Sequence, residues 1–332
     1  MTQSTSYAAD LAISSLDGKY DFRINEFVAC DWCSIFNTAH FFNLHKTEKS
    51  FYFQLCLGNP AQVIGVAHFS EVQPGCFRSP RRGTFGGFEF ARALRIEAIE
   101  EFVDRVEHEL EANGAHKIEI MDAPAVFAPS MSALLCNVLH RRGYVSSIPD
   151  LDYFITVDAV PIWEKLKPSR RQRINRCRRN GMTVVQLDPV LYREAYEVIV
   201  QNRKAKDFPI TMSLEAIQSM LEVFPDRLSF FGVLKDNVLI ASSICVKVSS
   251  SVLYVFYWGD LPGYEPFSPV SLLAEFIYEY ARVQGFNLID FGTSTKDGIP
   301  IYGLINFKRE IGCFPSLKPS YVRIIPSVLE SV

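Results

Sequence analysis

The chain has 332 residues, 48% hydrophobic and 21% charged, with a formal net charge of −3, a balance that fits globular material long enough for two domains. It excludes a generally basic chain, and no window approaches the ~18 to 20 uninterrupted apolar residues of a spanning helix. Met1 to Tyr20 lacks a basic start followed by an apolar core, so no secretion signal is read and a cytoplasmic location is expected.

In chain order, the first half opens with a leader of one or two helices to about His45. Strands follow at 51–57 and 63–69, then a Gly- and Pro-containing loop and a short strand at 85–90. In the helix predicted over 92–113, Leu94, Ala98, Phe102, Val106 and Leu110 recur every four residues and Gly114 follows as a stop, which marks a core-facing stripe. A strand at 117–121, a helix at 129–142 and a strand at 152–157 complete this half. Eight cysteines are scattered, several of them in apolar runs, as suits reduced core thiols. Cys30 and Cys33 form a lone C-x-x-C with no second pair, and no metal site is expected from it. Arg78 to Gly87 contains Arg81, Arg82 and three glycines; it reads either as an exposed glycine-rich turn or as a backbone nest for an anion.

Strand, strand, helix, strand, helix, strand then recurs. Helices are predicted at 189–203, 214–224, 269–284 and 303–311, with strands at 228–234, 238–248, 251–258, 287–291 and 320–325. Two copies of one plan describe an α/β (α+β) protein of two tandem domains, each a mixed twisted sheet flanked by helices, with boundaries at 1–158 and 159–332. Just past that boundary, eight of the fifteen residues from Lys165 to Arg179 are basic and none is acidic. Such a run is a solvated helix face or a phosphate-binding surface, for which Arg170, Arg171, Arg173 and Arg176 are the candidates.

All six histidines precede the midpoint, so chemistry in the second half must use Asp, Glu, Tyr, Lys, backbone or water. The strand ending Asp290-Phe291-Gly292 delivers a polar loop, Thr293 to Asp297, to a sheet's C-terminal edge, where α/β folds tend to place their sites. Asp290 is expected to cap that loop, and Thr293 and Ser294 to position a reacting group. Tyr257 and Trp258 face opposite ways on their strand, so one face lines any channel; Tyr302 and Asn306 lie on or beside the closing helix.

The ordered set formed by Trp163, the arginine-rich helix ending Asn180-Gly181, Asp290-Phe291-Gly292 and the closing Gly303-Leu-Ile-Asn-Phe-Lys-Arg-Glu-Ile-Gly312 resembles the Fem-type branch of the GNAT acyltransferase superfamily, commonly built as two GNAT-like domains in tandem. The resemblance implies transfer of an acyl or aminoacyl group to an amine without a covalent enzyme intermediate. The acceptor would be a small molecule or a cell-envelope precursor. It also implies that Lys308, the position matching the family's closing-segment lysine, stabilises the transition state. No tightly bound cofactor is expected; the co-substrate would be acyl-CoA, an acyl carrier protein or an aminoacyl-tRNA. Where classical members carry a glycine-rich pyrophosphate loop, this chain has Trp258 to Pro269 without the glycine pair, keeping only a helix start with Ser268 as its expected cap. That departure weakens the expectation of coenzyme A and strengthens carrier or tRNA. A binding module without catalysis remains a further alternative, and a monomer is expected because duplication supplies internally the pairing of single domains.

Overall fold

The structure, a computed structural model, describes residues 20–91 and 94–326. The first part of the predicted leader and the first two residues of the helix predicted from Arg92 lie outside that range. The chain divides into two compact units, one running to Pro149 and taking in the segment from Leu317, the other Asp150–Ser316.

The first unit contains β1 (Asp21–Ile24), β2 (Ser50–Leu57), β3 (Gln62–Gln73), β4 (Cys76–Ser79), β5 (Glu89–Phe90), β6 (Lys117–Met121) and β7 (Val145–Ser146). The second contains β8 (Asp150–Thr156), β9 (Thr183–Leu187), β10 (Leu228–Lys235), β11 (Val238–Lys247), β12 (Val252–Asp260), β13 (Leu288–Thr293), β14 (Thr295–Lys296) and β15 (Ile299–Pro300). Two strands close the chain, β16 (Phe314–Lys318) and β17 (Ser320–Ile324).

In the first sheet the order is β1-β2-β3-β4-β6-β17-β7, with β5 against β3. Antiparallel pairing gives way to parallel between β4 and β6, and such a pair requires a crossover. The helix Ile96–Ala112 supplies it, burying Ala98, Ile99, Phe102, Val103, Val106 and Leu110 against Phe53, Phe69, Phe77 and Phe88. Phe102 is fully buried in this core, and its truncation to Ala would cost about 3 to 5 kcal/mol.

In the second sheet the order is β16-β8-β13-β12-β11-β10-β9. The β10–β11 hairpin turns on Asp236-Asn237, both at positive φ, the geometry two-residue hairpins favour. The helix Pro269–Val283 crosses from β12 to β13 and buries Leu272, Leu273, Ile277 and Tyr278, making that pair parallel.

The two domains are therefore not split at 158/159. β8, predicted to end the first domain, pairs with β13 in the second sheet; β17, predicted to end the second, sits between β6 and β7 in the first. The last strands of the two halves are exchanged. Alternation along a strand fixes which face is buried and carries no information about the neighbour it pairs with.

Three local differences have evident causes. The strand at 85–90 shrinks to β5 because Gly86 N–H donates to Met121 O and Gly87 N–H to Ser79 Oγ, folding the segment back as a loop. The helix at 189–203 begins as a 3-10 turn, Pro189–Leu191, with Asp188 accepting from Val190 N, and the α-helix proper is Tyr192–Ala205. The predicted loop 293–297 is in part a hairpin, β14 to β15, turning on Asp297-Gly298 at positive φ.

Candidate functional site

The second unit's parallel strands pair only from Val252↔Leu288 to Tyr254↔Asp290 and then part. β12 carries a bulge beyond Val255, where Cys245 pairs with Val255 but Ile244 with Tyr257, and a bulge bends a strand away from its neighbour. β13 continues instead alongside β8, with Thr293 opposite Asp152. The Trp258 ring lies 5.1 Å from Phe291 and 5.3 Å from Phe307.

At the end of β13, Gly292 adopts a φ of 75°, which only glycine holds without strain. Gly292 N–H donates to Asp290 Oδ1 at 2.5 Å, the cap expected of that aspartate. The turn presents two carbonyls to Lys308 from the helix Tyr302–Glu310: Nζ donates to Gly292 O at 2.6 Å and to Thr293 O at 2.9 Å. The Tyr153 ring lies 5.8 Å from Nζ. Lys308, Asp290 and Asp152 are each 1% exposed.

Burial lowers the Lys308 ammonium to about 8, against the opposing pull of Asp152, Cys313 and Asp290. Burial likewise holds Asp290 well above the ordinary carboxyl range, reinforced by the charge of Asp152 and a hydrogen bond with it. One fixed cation and a carboxyl pair that retains a proton can stabilise a developing oxyanion and exchange a proton without imidazole. Ser294 is fully buried beside them, its Oγ without a hydrogen-bond partner among the described residues, while Thr293 is half-buried.

Tyr153 and Cys313 also line a cleft of about 1010 Å³ that includes Asn306. Asn306 is exposed, as is Tyr302, which projects away from the buried cluster at 74% exposure. Tyr257 is spent on the scaffold: its hydroxyl accepts from Thr211 N and Met212 N, so it is not a channel wall.

The arginine run forms the helix Pro168–Arg179, and several of its side chains are engaged by other parts of the protein. Arg170, 12% exposed, donates to Glu310 at 2.6 Å, reaches Ser268 Oγ and Ser271 Oγ and stacks on Phe307 at 4.5 Å. Arg171 donates to Leu166 O and Glu164 O; Arg173 and Arg176 reach Pro266 O from more exposed positions. Ser268 does not cap its helix by side chain: it sits at a φ of 56°, and its hydroxyl accepts from Arg170 instead. In the first unit Arg81 donates to His45 O and Arg82 is exposed; the Gly86 and Gly87 N–H groups both donate within the protein. Burial, aided by Arg82 and Arg81, depresses the His45 imidazole to about 4.

Asp152 and Tyr153 escaped the sequence reading because chain order assigned β8 to the other domain. The available signal was the pair of acids in Asp150-Leu-Asp-Tyr-Phe-Ile, where Asp152 falls on a buried position next to the apolar run Tyr153-Phe-Ile.

The structure of FemX matches with a TM-score of 0.68 and 14% identity, covering 91% of this chain and 97% of that one. The fold is tandem GNAT-like, of the Fem type. The structure of L-PGS from Bacillus licheniformis matches at 0.55 and 13%, covering 81% of this chain and 83% of that one. A tandem GNAT protein from the clavulanic acid biosynthesis pathway matches at 0.52 and 10%, covering 93% and 100%. No protein-family model and no curated protein matches the sequence.

Proposed function

We propose that this chain is a transferase that moves an acyl or aminoacyl group to an amine by direct attack, with its chemistry at the end of β13. The observation that carries the reading is Lys308, a buried ammonium held by two carbonyls of the Gly292 turn beside the Asp152–Asp290 pair. Attack of a neutral amine on a thioester or ester makes a tetrahedral oxyanion. A preorganised ammonium in a site shielded from water stabilises that charge with little reorganisation. The Asp152–Asp290 pair is the proton reservoir, taking the proton that the amine loses and passing it towards the leaving group.

The stretch from Trp258 to Pro269, which lacks the glycine pair of a pyrophosphate-binding loop, favours an ester donor, such as aminoacyl-tRNA, over coenzyme A in this unit. The similarity to FemX and to L-PGS supports the fold on which such a reaction would run; the acceptor in this reading is a small-molecule or cell-envelope amine. Turnover assays that present the protein in parallel with acyl-CoA, acyl carrier protein and aminoacyl-tRNA test the proposal. Product from the aminoacyl ester is the expected result, and no product with any donor class would leave a binding protein on a transferase fold.

A further inference from the structure

The cleft beside Lys308 is bounded by β8, the short helix Ile162–Lys165, the closing helix and the start of β16. Its volume, about 1010 Å³, is at the upper end of small-molecule sites, roughly 300 to 1,000 Å³. Five charged side chains line it: Asp158, Lys165, Lys167, Arg309 and Glu310. Both acids are already matched, Asp158 by Lys165 at 2.7 Å and Glu310 by Arg170 at 2.6 Å from outside the cleft. Lys167 and Arg309 have no ion pair among the described residues, and Lys167 N–H donates to Glu310 O, so both cations stand at the carboxyl end of the closing helix. A helix end favours one nearby cation; it does not account for two uncompensated cations over a concave surface on a chain of net charge −3.

Between the charges the walls are apolar. Tyr153, Ile155, Val160 and Pro315 line the cleft, and Phe314 stands at 61% exposure, a large aromatic face with little protein against it. We propose that this cleft binds a small amphiphilic phosphate monoester, its apolar or aromatic body against Phe314 and Val160 and its phosphate between Lys167 and Arg309. The charge fits: a phosphomonoester carries about −1.5 to −2 at pH 7, which two uncompensated cations neutralise, whereas a carboxylate would leave one unmatched. An arginine also offers phosphate a planar two-pronged donor set. That the ligand is the substrate accepting the acyl group rests on the transfer reading; the binding itself does not.

The test is calorimetric titration of the full chain with 1-naphthyl phosphate, with 1-naphthol and 1-naphthoate alongside. Saturable one-to-one binding is expected, tighter for the phosphate than for the carboxylate and at least tenfold tighter than for the phenol. Affinity should rise as pH passes about 6, where the second phosphate proton leaves. Lys167→Ala and Arg309→Ala should each weaken it about tenfold, as loss of a charge-assisted hydrogen bond does, while Lys204→Ala on the exposed side of another helix should not change it. Absence of binding at millimolar probe, equal affinity for the phenol, indifference to both cleft variants, or displacement by a short RNA that itself binds more tightly would each overturn the proposal. Probe binding as described, with no turnover on any donor, would sink the transfer reading and leave the cleft standing; turnover with no probe binding would do the reverse.

Discussion

Lys308 joins two functions in one side chain, because the ammonium that would meet an oxyanion also ties the Gly292 turn to the closing helix. Lys308→Met is therefore expected to cost stability as well as rate. Two charge-assisted hydrogen bonds disappear and a buried carboxyl pair loses its cation, about 2 to 4 kcal/mol in all, alongside a loss of roughly 100- to 1,000-fold in turnover. Denaturant titration and kcat measured on the same sample read both. The pH profile separates the roles: with the ammonium at about 8, turnover should fall as pH rises through that value in protein that is still folded. Stability should move the opposite way. The folded pKa lies below the unfolded 10.5, so between about 8 and 10.5 the unfolded chain binds more protons and Lys308's contribution to stability increases with pH. A flat alkaline limb in kcat would assign Lys308 to the scaffold alone. Asp290→Asn should be mild in stability, about 1 kcal/mol or less, because burial already keeps that carboxyl protonated and the amide retains an oxygen for Gly292 N–H.

The arginine helix and the closing helix are joined through Arg170, and this is where charge patterning misleads. Eight basic residues in a row of fifteen read as one surface, yet their environments differ by neighbour. Arg170→Gln, which removes a near-buried ion pair and a stack on Phe307, should cost about 2 to 4 kcal/mol. Arg173→Gln and Arg176→Gln, with long contacts to one carbonyl, should each cost under about 0.5 kcal/mol; thermal melts of the three variants suffice to compare them. Gly312 is a second element-scale constraint. At a φ of 94° it ends the closing helix, and a Cβ there would lie 3.1 Å from Lys165 Cβ and 3.3 Å from Lys165 O, so Gly312→Ala should cost about 1 to 3 kcal/mol.

Elements of this kind were legible wherever a pattern is local. The stripe in Ile96–Ala112, the stop at Gly312 and the strand of the Asp290 cap all follow from spacing and from glycine's backbone freedom. What lay beyond the sequence were relations between segments far apart: Asp152 opposite Thr293, Trp258 over Phe307, the acid that claims Arg170. Those depend on which strands lie side by side, and period-two alternation is silent on that point.

At the scale of the whole chain, the exchanged strands make the two units depend on segments outside their own halves. β17 lies inside the first sheet, between β6 and β7, so a chain ended after Lys318 should expose the β6 edge and lose the ring environment of Tyr321, which is 2% exposed in that core. Limited proteolysis should then cut within residues 20–149 while leaving 150–316 protected; equal protection of both would show that β17 is dispensable. The same topology imposes an order in time. Multidomain chains commonly fold from the amino terminus as they are synthesised, but Ile120 finds its partner in Tyr321, roughly 200 residues downstream, and such distant pairings close slowly. While the ribosome works through the intervening sequence, the first unit waits with β6 unpaired on that side, and the second waits almost as long, because Thr156 of β8 finds its partner only in Leu288 of β13 and the edge strand Phe314–Lys318 is made just before β17.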